Sequence, residues 1–398
     1  MTHLEQAACS EPTKLSHLLK ERFPFLRCDT LQRVADVVCA LVEKQTTNQK
    51  KLANGLPGSS SPEAKRKRLA RCLQDDQLDA CFLPFLISLL PKGKQVLTLD
   101  RTNWAYGETP LNLLVLGVVL EGFTLPLLWV ALPHGGCSDS ATRERLVARL
   151  LKHLPARRWK ALVADREFIG QLWFTFLRTR GIRRVIRLRA DTVVDELRTE
   201  VWFKTVQTGQ LQCLFQKGWV YGSLMQVVAT RDADGDLVVL ATDVSVWETW
   251  QVYRLRWSIE CTFSSMKTRG FDLERSAMII AERLERLFGL VTLAWVCCLR
   301  IGVWRNALQP IPIKSHGRRA VSLVSYGWEY LAQAIRWEEK LAETYFGLLR
   351  YPFPAPGTAR PQVVRSDGLT DFMRAGEKRA SSRLRRWFVG LNASTFGS

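Results

Sequence analysis

Residues 95–132 read QVLTLDRTNWAYGETPLNLLVLGVVLEGFTLPLLWVAL, and the fold class turns on them. The part from Pro110 to Leu132 is long enough to cross a bilayer as a helix. Glu121 stands at its centre, however, beside Gly122 and shortly before Pro126. A charge, a Gly and a Pro at that place divide the run into two buried strands that reverse at Glu121–Gly122. Ahead of them, Gln95–Asp100 is a short β-rich run that ends on an acid.

Downstream the same kind of element recurs. A Gly-rich turn at 133–139 leads into 140–154, where Leu146, Leu150 and Leu154 mark an amphipathic helix. Trp159–Ala164 is another buried strand, and it too ends on an acid, Asp165. A helix over 170–179 and a strand over 183–189 follow. The order β-β-β-α-β-α-β predicts a mixed sheet with helices on its faces. Open sheets gather functional groups at strand ends, which makes Asp100 and Asp165 candidate site residues.

Residues 1–90 read as helical, with apolar spacing over 15–23 and 31–42 and a polar loop over 46–61. Ser61-Pro62 then starts a helix carrying Lys65, Arg66, Lys67, Arg68 and Arg71, a cluster that suits either phosphate contact or a solvated face. Between Thr192 and Asp243 the pattern is β-rich, with strands over 211–215, 225–231 and 237–242. The Asp232–Asp236 run (DADGD) lacks the Glu that closes a calcium loop and reads as a turn. Asp243 is a candidate helix cap or supporting group.

Tyr253–Lys267 (YRLRWSIECTFSSMK) follows, with no Gly or Pro, and predicts a helix of about four turns. On that helix Tyr253, Arg256, Glu260 and Lys267 fall within an arc of about 60°. Taken alone, the face is explained by an i,i+4 pair between Arg256 and Glu260. An apolar core helix over 277–300 comes next. The remainder, 301–398, is basic, with a helix over 320–349, a Pro-rich loop over 351–361 and a basic patch at Arg383–Trp387.

The 398 residues carry a formal charge of +19, which points to a polyanionic partner, either nucleic acid or an anionic membrane surface. None of the ten cysteines forms a Cys-x2-Cys pair, which argues against a zinc ribbon, and His134-x2-Cys137 is a lone half-site. Scattered thiols behind a start without a signal-peptide pattern suit a reducing cytosol. No P-loop, dinucleotide fingerprint or Gly-x-Ser-x-Gly elbow is present. What remains is carboxylate chemistry. Acids without His or Cys partners suit Mg²⁺ or Mn²⁺, and two such ions serve in-line displacement at phosphorus.

In these residues the chain resembles the DDE transposases of bacterial insertion sequences, specifically the insertion-sequence-4 family. The family signature Tyr-x2-Arg-x3-Glu-x6-Lys is matched by Tyr253, Arg256, Glu260 and Lys267, and the contexts DRTNW around Asp100 and ADREF around Asp165 are similar to the family's. The resemblance spans about residues 95–275. It implies a ribonuclease H-like mixed-sheet core over 91–191 and 244–300, with a β-rich insertion at 192–243. A helical DNA-binding region at 1–90 and a helical basic region at 301–398 would flank it. It implies Asp100, Asp165 and Glu260 as catalytic ligands of two Mg²⁺ or Mn²⁺ ions. Tyr253, Arg256 and Lys267 would hold a phosphate near a flipped base, with Trp219 or Trp202 stacking on that base. Arg166 and Glu167 would line the site, and Arg101, Thr102, Asn103 and Trp104 would contact DNA beside Asp100. For Arg101 the plain alternative is an ion pair with a neighbouring carboxylate, and for Trp104 a place in the core. The implied partners are double-stranded DNA, as element ends and target, and a second copy of the chain. The implied location is the bacterial cytoplasm, at the nucleoid and not in a membrane. A nuclease of the same fold that does not join ends, and a non-catalytic DNA-binding relative, are the rival readings.

Overall fold

The computed structural model describes residues 14–315 and 317–354. Five helices precede the sheet: α1 (Lys14–Arg22), α2 (Cys28–Lys44), α3 (Gln49–Asn54), α4 (Pro62–Gln74) and α5 (Phe82–Ser88). α3 lies inside the stretch expected to be loop, because the Asn48 side chain accepts from the Lys51 amide and starts one short helix. α4 begins as its sequence dictates, with Ser61 accepting from the Ala64 amide and Pro62 in the first turn.

The sheet opens with a meander of β1 (Gln95–Tyr106), β2 (Thr109–Leu120) and β3 (Phe123–Ala131), followed by α6 (Ser140–Leu151), β4 (Trp159–Ala164), α7 (Gln171–Thr179) and β5 (Arg184–Leu188). Glu121 and Gly122 both have positive φ, 51° and 85°, as a two-residue hairpin reversal requires. The strand order is β3-β2-β1-β4-β5, antiparallel within the meander and parallel from β1 through β4 to β5. This is the mixed sheet expected from the order of elements in the sequence. β1 is twice the expected length and runs on through Asp100 to Tyr106, paired with β2.

The β-rich stretch holds β6 (Val193–Val194), β7 (Leu197–Arg198), α8 (Thr199–Trp202), β8 (Gln212–Cys213), β9 (Gly218–Val220), β10 (Ser223–Arg231) and β11 (Leu237–Thr242). β11 pairs antiparallel with β5, and β10 with β11, so the main sheet continues into this stretch and reaches nine strands. Asp232 accepts from the amides of Asp234 and Asp236, which makes the run between β10 and β11 the expected turn.

Among the described residues, α9 (Val246–Arg254), α10 (Trp257–Met266), α11 (Ala281–Leu308), α12 (Leu323–Trp337) and α13 (Glu339–Gly347) follow. The single helix expected over Tyr253–Lys267 is two, joined by a turn at Leu255–Arg256, where Arg256 N bonds Tyr253 O and Ile259 N bonds Arg256 O in tighter i→i−3 fashion. The helix over 320–349 likewise breaks at Glu338, whose φ and ψ of −140° and 74° leave the helical region. Asp243 is no cap, because Ser245 accepts from Glu248 N at the start of α9. The Arg383–Trp387 patch lies outside the described residues.

α11 is long and apolar enough to cross a membrane, but 89% of its most apolar window is buried inside the protein, as befits a core helix. α12 crosses it closely: a Cβ on Gly302 would lie 1.8 Å from Leu323 O, and one on Gly327 1.9 Å from Cys298 O. α10 is seated on the sheet by buried hydroxyls. Thr124 Oγ1 lies 3.0 Å from Thr98 Oγ1 and 2.7 Å from Ser258 Oγ, and Thr262 Oγ1 donates to Thr124 O at 2.9 Å. α9 covers a smaller apolar patch formed by Ala161, Val163, Val185, Val238 and Leu240 with Val252 and Tyr253.

Candidate active site

Parallel pairing of β1 with β4 ends at Leu99↔Ala164, so the next residues, Asp100 and Asp165, lie side by side where the two strands part. The strand-end placement expected for Asp165 is met. Asp100 stands within β1, at the end of the parallel ladder rather than of the strand, because β2 keeps β1 extended beyond it. β5 adds a third position. Ala164 pairs with Ile186, which sets Arg187 next to Asp165.

Helix α10 brings Glu260, and the turn ahead of it brings Arg256. Arg256 Nη1 donates to Asp100 Oδ2 at 3.1 Å, and its Nη2 donates to Glu260 Oε1. The i,i+4 pair that the sequence alone explains is therefore present, and the same guanidinium also reaches across to β1. Tyr253 closes α9 nearby. It is stacked on Trp250 with centroids 6.2 Å apart and is hydrogen-bonded to Arg187.

The charges here do not balance. Burial pushes the Asp100 carboxyl up to about 6, against the help of the Arg101 amide and the Arg256 guanidinium, and the nearby Glu167 and Asp165 carboxylates add to the rise. Burial alone pulls the Arg256 guanidinium down, but Tyr253, Asp165, Glu260 and Asp100 together hold it above its ordinary value. The Tyr253 phenol is raised by burial and by Asp165, opposed by Arg256 and Arg187. One guanidinium thus serves a buried acid and its neighbours.

Oxygen-only donors of this kind suit a hard divalent cation. Asp100, Asp165 and Glu260 offer carboxylate oxygens, and in the chemistry of their donors the residues fit such an ion. They are not gathered around a common point: among the described residues, no group of three or more His, Cys, Asp or Glu is close enough to hold a metal. Arg256 stands between Asp100 and Glu260 and binds both.

The other expected site residues are distributed around this centre. Lys267 follows the end of α10, and its ammonium donates to Asn103 O at 2.9 Å, pairs with Glu274 at 3.1 Å and sits 5.4 Å from the centroid of Trp104. Asn103 and Arg166 have exposed side chains, and Trp104 is half-buried. Arg101 is bound through both ends of its fork to Glu167, so it would contact DNA only after that pair opened. In the β-rich stretch Trp219 is 60% exposed, while Trp202 is less so and donates its indole N–H to Val194 O at 2.8 Å. Phe215, 98% exposed, was not singled out by the sequence. Arg187 was also missed. Its signal is the period-2 pattern of β5, in which a cation stands on the same face as the buried Val185.

A search of curated proteins gives no match. Among solved structures, the chain is similar to piggyBac transposase in a synaptic complex with hairpin DNA, at 11% identity and a TM-score of 0.40, covering 90% of this chain and 86% of that one. It is also similar to an endonuclease V from Bacillus subtilis, at 12% identity and a TM-score of 0.25, covering 56% of this chain and 93% of that one. The transposase DDE domain family matches residues 91–297, a range that includes Asp100, Asp165, Arg187, Tyr253, Arg256, Glu260 and Lys267. With more than half its length in that match, the chain belongs to the transposase DDE domain family.

Proposed function

We propose that the protein is an insertion-sequence transposase of the insertion-sequence-4 type. In this reading it binds the terminal inverted repeats of its element, cleaves them at phosphodiester bonds and joins the 3′-hydroxyl ends to target DNA, working as a dimer in the bacterial cytoplasm. Asp100, Asp165 and Glu260 are the residues that hold divalent metal, two Mg²⁺ or Mn²⁺ ions per site. When bound, such ions supply activation of a water or 3′-hydroxyl and stabilisation of the leaving oxygen. The observation that carries the reading is the convergence on Arg256 of acids from β1 and α10, beside Asp165 where β1 and β4 part.

The chain's own groups have distinct tasks. Arg256 is shared between Asp100 and Glu260, and with divalent metal on those acids it would be free to contact a DNA phosphate. Arg187 and Tyr253 present a cation and a phenol to the same phosphate from the β5 and α9 side. Lys267 exchanges Glu274 for the backbone of the bound strand. The exposed face of Trp219 supplies a stacking surface for an unpaired base, with Trp202 as the alternative. The basic helix α4 contributes Lys65 and Lys67 to phosphate contact, whereas Arg66 and Arg68 already pair with Glu63 and Asp36.

The rival reading is a nuclease that cuts without joining. Purified protein, Mg²⁺, a labelled duplex ending in the element's repeat and a target plasmid decide between them. Labelled plasmid is the expected product. Free cleaved ends with no label in the plasmid would select the nuclease, and an intact duplex would contradict both.

A further inference from the structure

Beyond Leu99↔Ala164 no backbone ladder ties β1 to the chain leaving β4. Yet that is where Asp100 and Asp165 stand. The tie there is made by the residues just after the two acids. Arg101 Nε and Nη2 donate to Glu167 Oε1 and Oε2 at 2.7 and 2.6 Å, a bidentate pair whose side chains are only 17% and 20% exposed. Paired N–H···O bonds of this kind fix separation and angle as well as charge. Arg101 is itself braced. Its Nη1 reaches Asn112 Oδ1 at 3.4 Å and Gly136 O at 3.1 Å. Asn112, 1% exposed within the apolar run of β2, donates its amide to His134 O at 3.1 Å and Gly136 O at 2.9 Å.

We infer that Arg101 and Glu167 are positioning residues: their pair, braced by Asn112, sets the distance between the Asp100 and Asp165 carboxylates and so the affinity of the site for divalent metal. Residues behind a metal site commonly act this way, by orienting the ligands. A planar fork does what a lysine ammonium cannot, since the ammonium is a point charge without paired donors. The inference rests on the metal-ligand reading of the two aspartates proposed above.

A charge effect and a positioning effect predict opposite signs, which makes the test direct. Mn²⁺ alone is titrated calorimetrically into the full chain, without DNA, for the parent and for Arg101→Lys, Arg101→Gln, Glu167→Gln and the exchange Arg101→Glu with Glu167→Arg. Melting curves in chelator establish that each variant is folded. Arg101→Lys keeps the charge and loses the fork, and its Mn²⁺ affinity is expected to fall about tenfold or more. Arg101→Gln removes a cation beside two acids and is still expected to bind more weakly, while the exchanged pair recovers part of the loss. Parental affinity in Arg101→Lys, or tighter binding in Arg101→Gln, would overturn the positioning role and leave only electrostatics. Asp165→Ala is the control on the underlying reading. Loss of Mn²⁺ binding there alongside parental Arg101→Lys rejects the pair alone, and parental binding in Asp165→Ala rejects the metal site and the inference with it.

Discussion

Arginine meets aspartate at both ends of β5, and the two meetings are built differently. At its start, Arg184 is 2% exposed and gives Asp243 a fork, Nε to Oδ2 at 2.6 Å and Nη2 to Oδ1 at 3.0 Å. Its Nη1 is used as well, by Phe174 O at 2.9 Å and Ser223 Oγ at 3.1 Å. One cation meets one anion, and the remaining donors find neutral acceptors that join β5, α7, β10 and the end of β11. At the other end, where Asp165 and Arg187 lie, Arg256 divides one guanidinium between Asp100 and Glu260 with Asp165 beside it. The first cluster is closed and serves the fold. The second has more acid than cation, and under the proposed function a divalent metal ion would offset that excess.

The contrast can be broken by substitution. Truncating either partner of a buried, hydrogen-bonded pair leaves a charge behind and typically costs 3–5 kcal/mol. Arg184→Ala and Asp243→Ala should each lower unfolding stability by about that much, read from denaturant curves. Asp100→Asn should lower it by nothing measurable in chelator, because Asp100 is an excess charge in the metal-free fold. Equal losses in all three would remove the distinction between the clusters.

A smaller effect sharpens it. The Asp100 carboxyl stands at about 6 in the fold against an ordinary 3.8. A carboxyl raised by folding contributes stability at pH below its unfolded value and loses that contribution as pH rises through its folded value. In chelator, stability should therefore fall between about pH 4 and pH 6, by up to about 3 kcal/mol for a shift near two units. Asp100→Asn should flatten that slope. A parental slope in Asp100→Asn would show that the excess charge is relaxed elsewhere.

Lys267 lies between the two types, since its ammonium is paired with Glu274 yet sits beside the strand end. Lys267→Ala should weaken binding to the element's end and reduce the dependence of log K on log salt by about one. An unchanged slope would mean that Lys267 belongs with Glu274 and the fold alone.

The amino-acid sequence carried the sheet well, for identifiable reasons. Glu121–Gly122 had to be a reversal because a buried run cannot hold a charge and a flexible residue at its centre without one. Asp165 follows a run so short and apolar that only a buried strand suits it. Asp100 was placed at a strand end because Arg101–Asn103 look polar, but pairing with the apolar β2 keeps β1 extended through them. The break at Leu255–Arg256 left no mark, since neither residue opposes helix and the turn arises from how α9 and α10 seat on different parts of the sheet. The ion pair offered for Arg101 is present, but its partner Glu167 and the place of Arg187 beside Asp165 depend on which strands become neighbours, and periodicity within one strand does not encode that.

The central claim is that Asp100, Asp165 and Glu260 together make DNA strand cleavage depend on divalent metal. The most direct measurement is single-turnover cleavage of a labelled duplex carrying the element's end, with Mg²⁺ and with Mn²⁺, by the parent and by Asp100→Ala, Asp165→Ala and Glu260→Ala. Each variant is first shown to be folded and to bind the duplex. The account predicts cleavage at background in all three variants and in the parent without metal. Parental cleavage by any one of them, or by the parent in chelator, would contradict it.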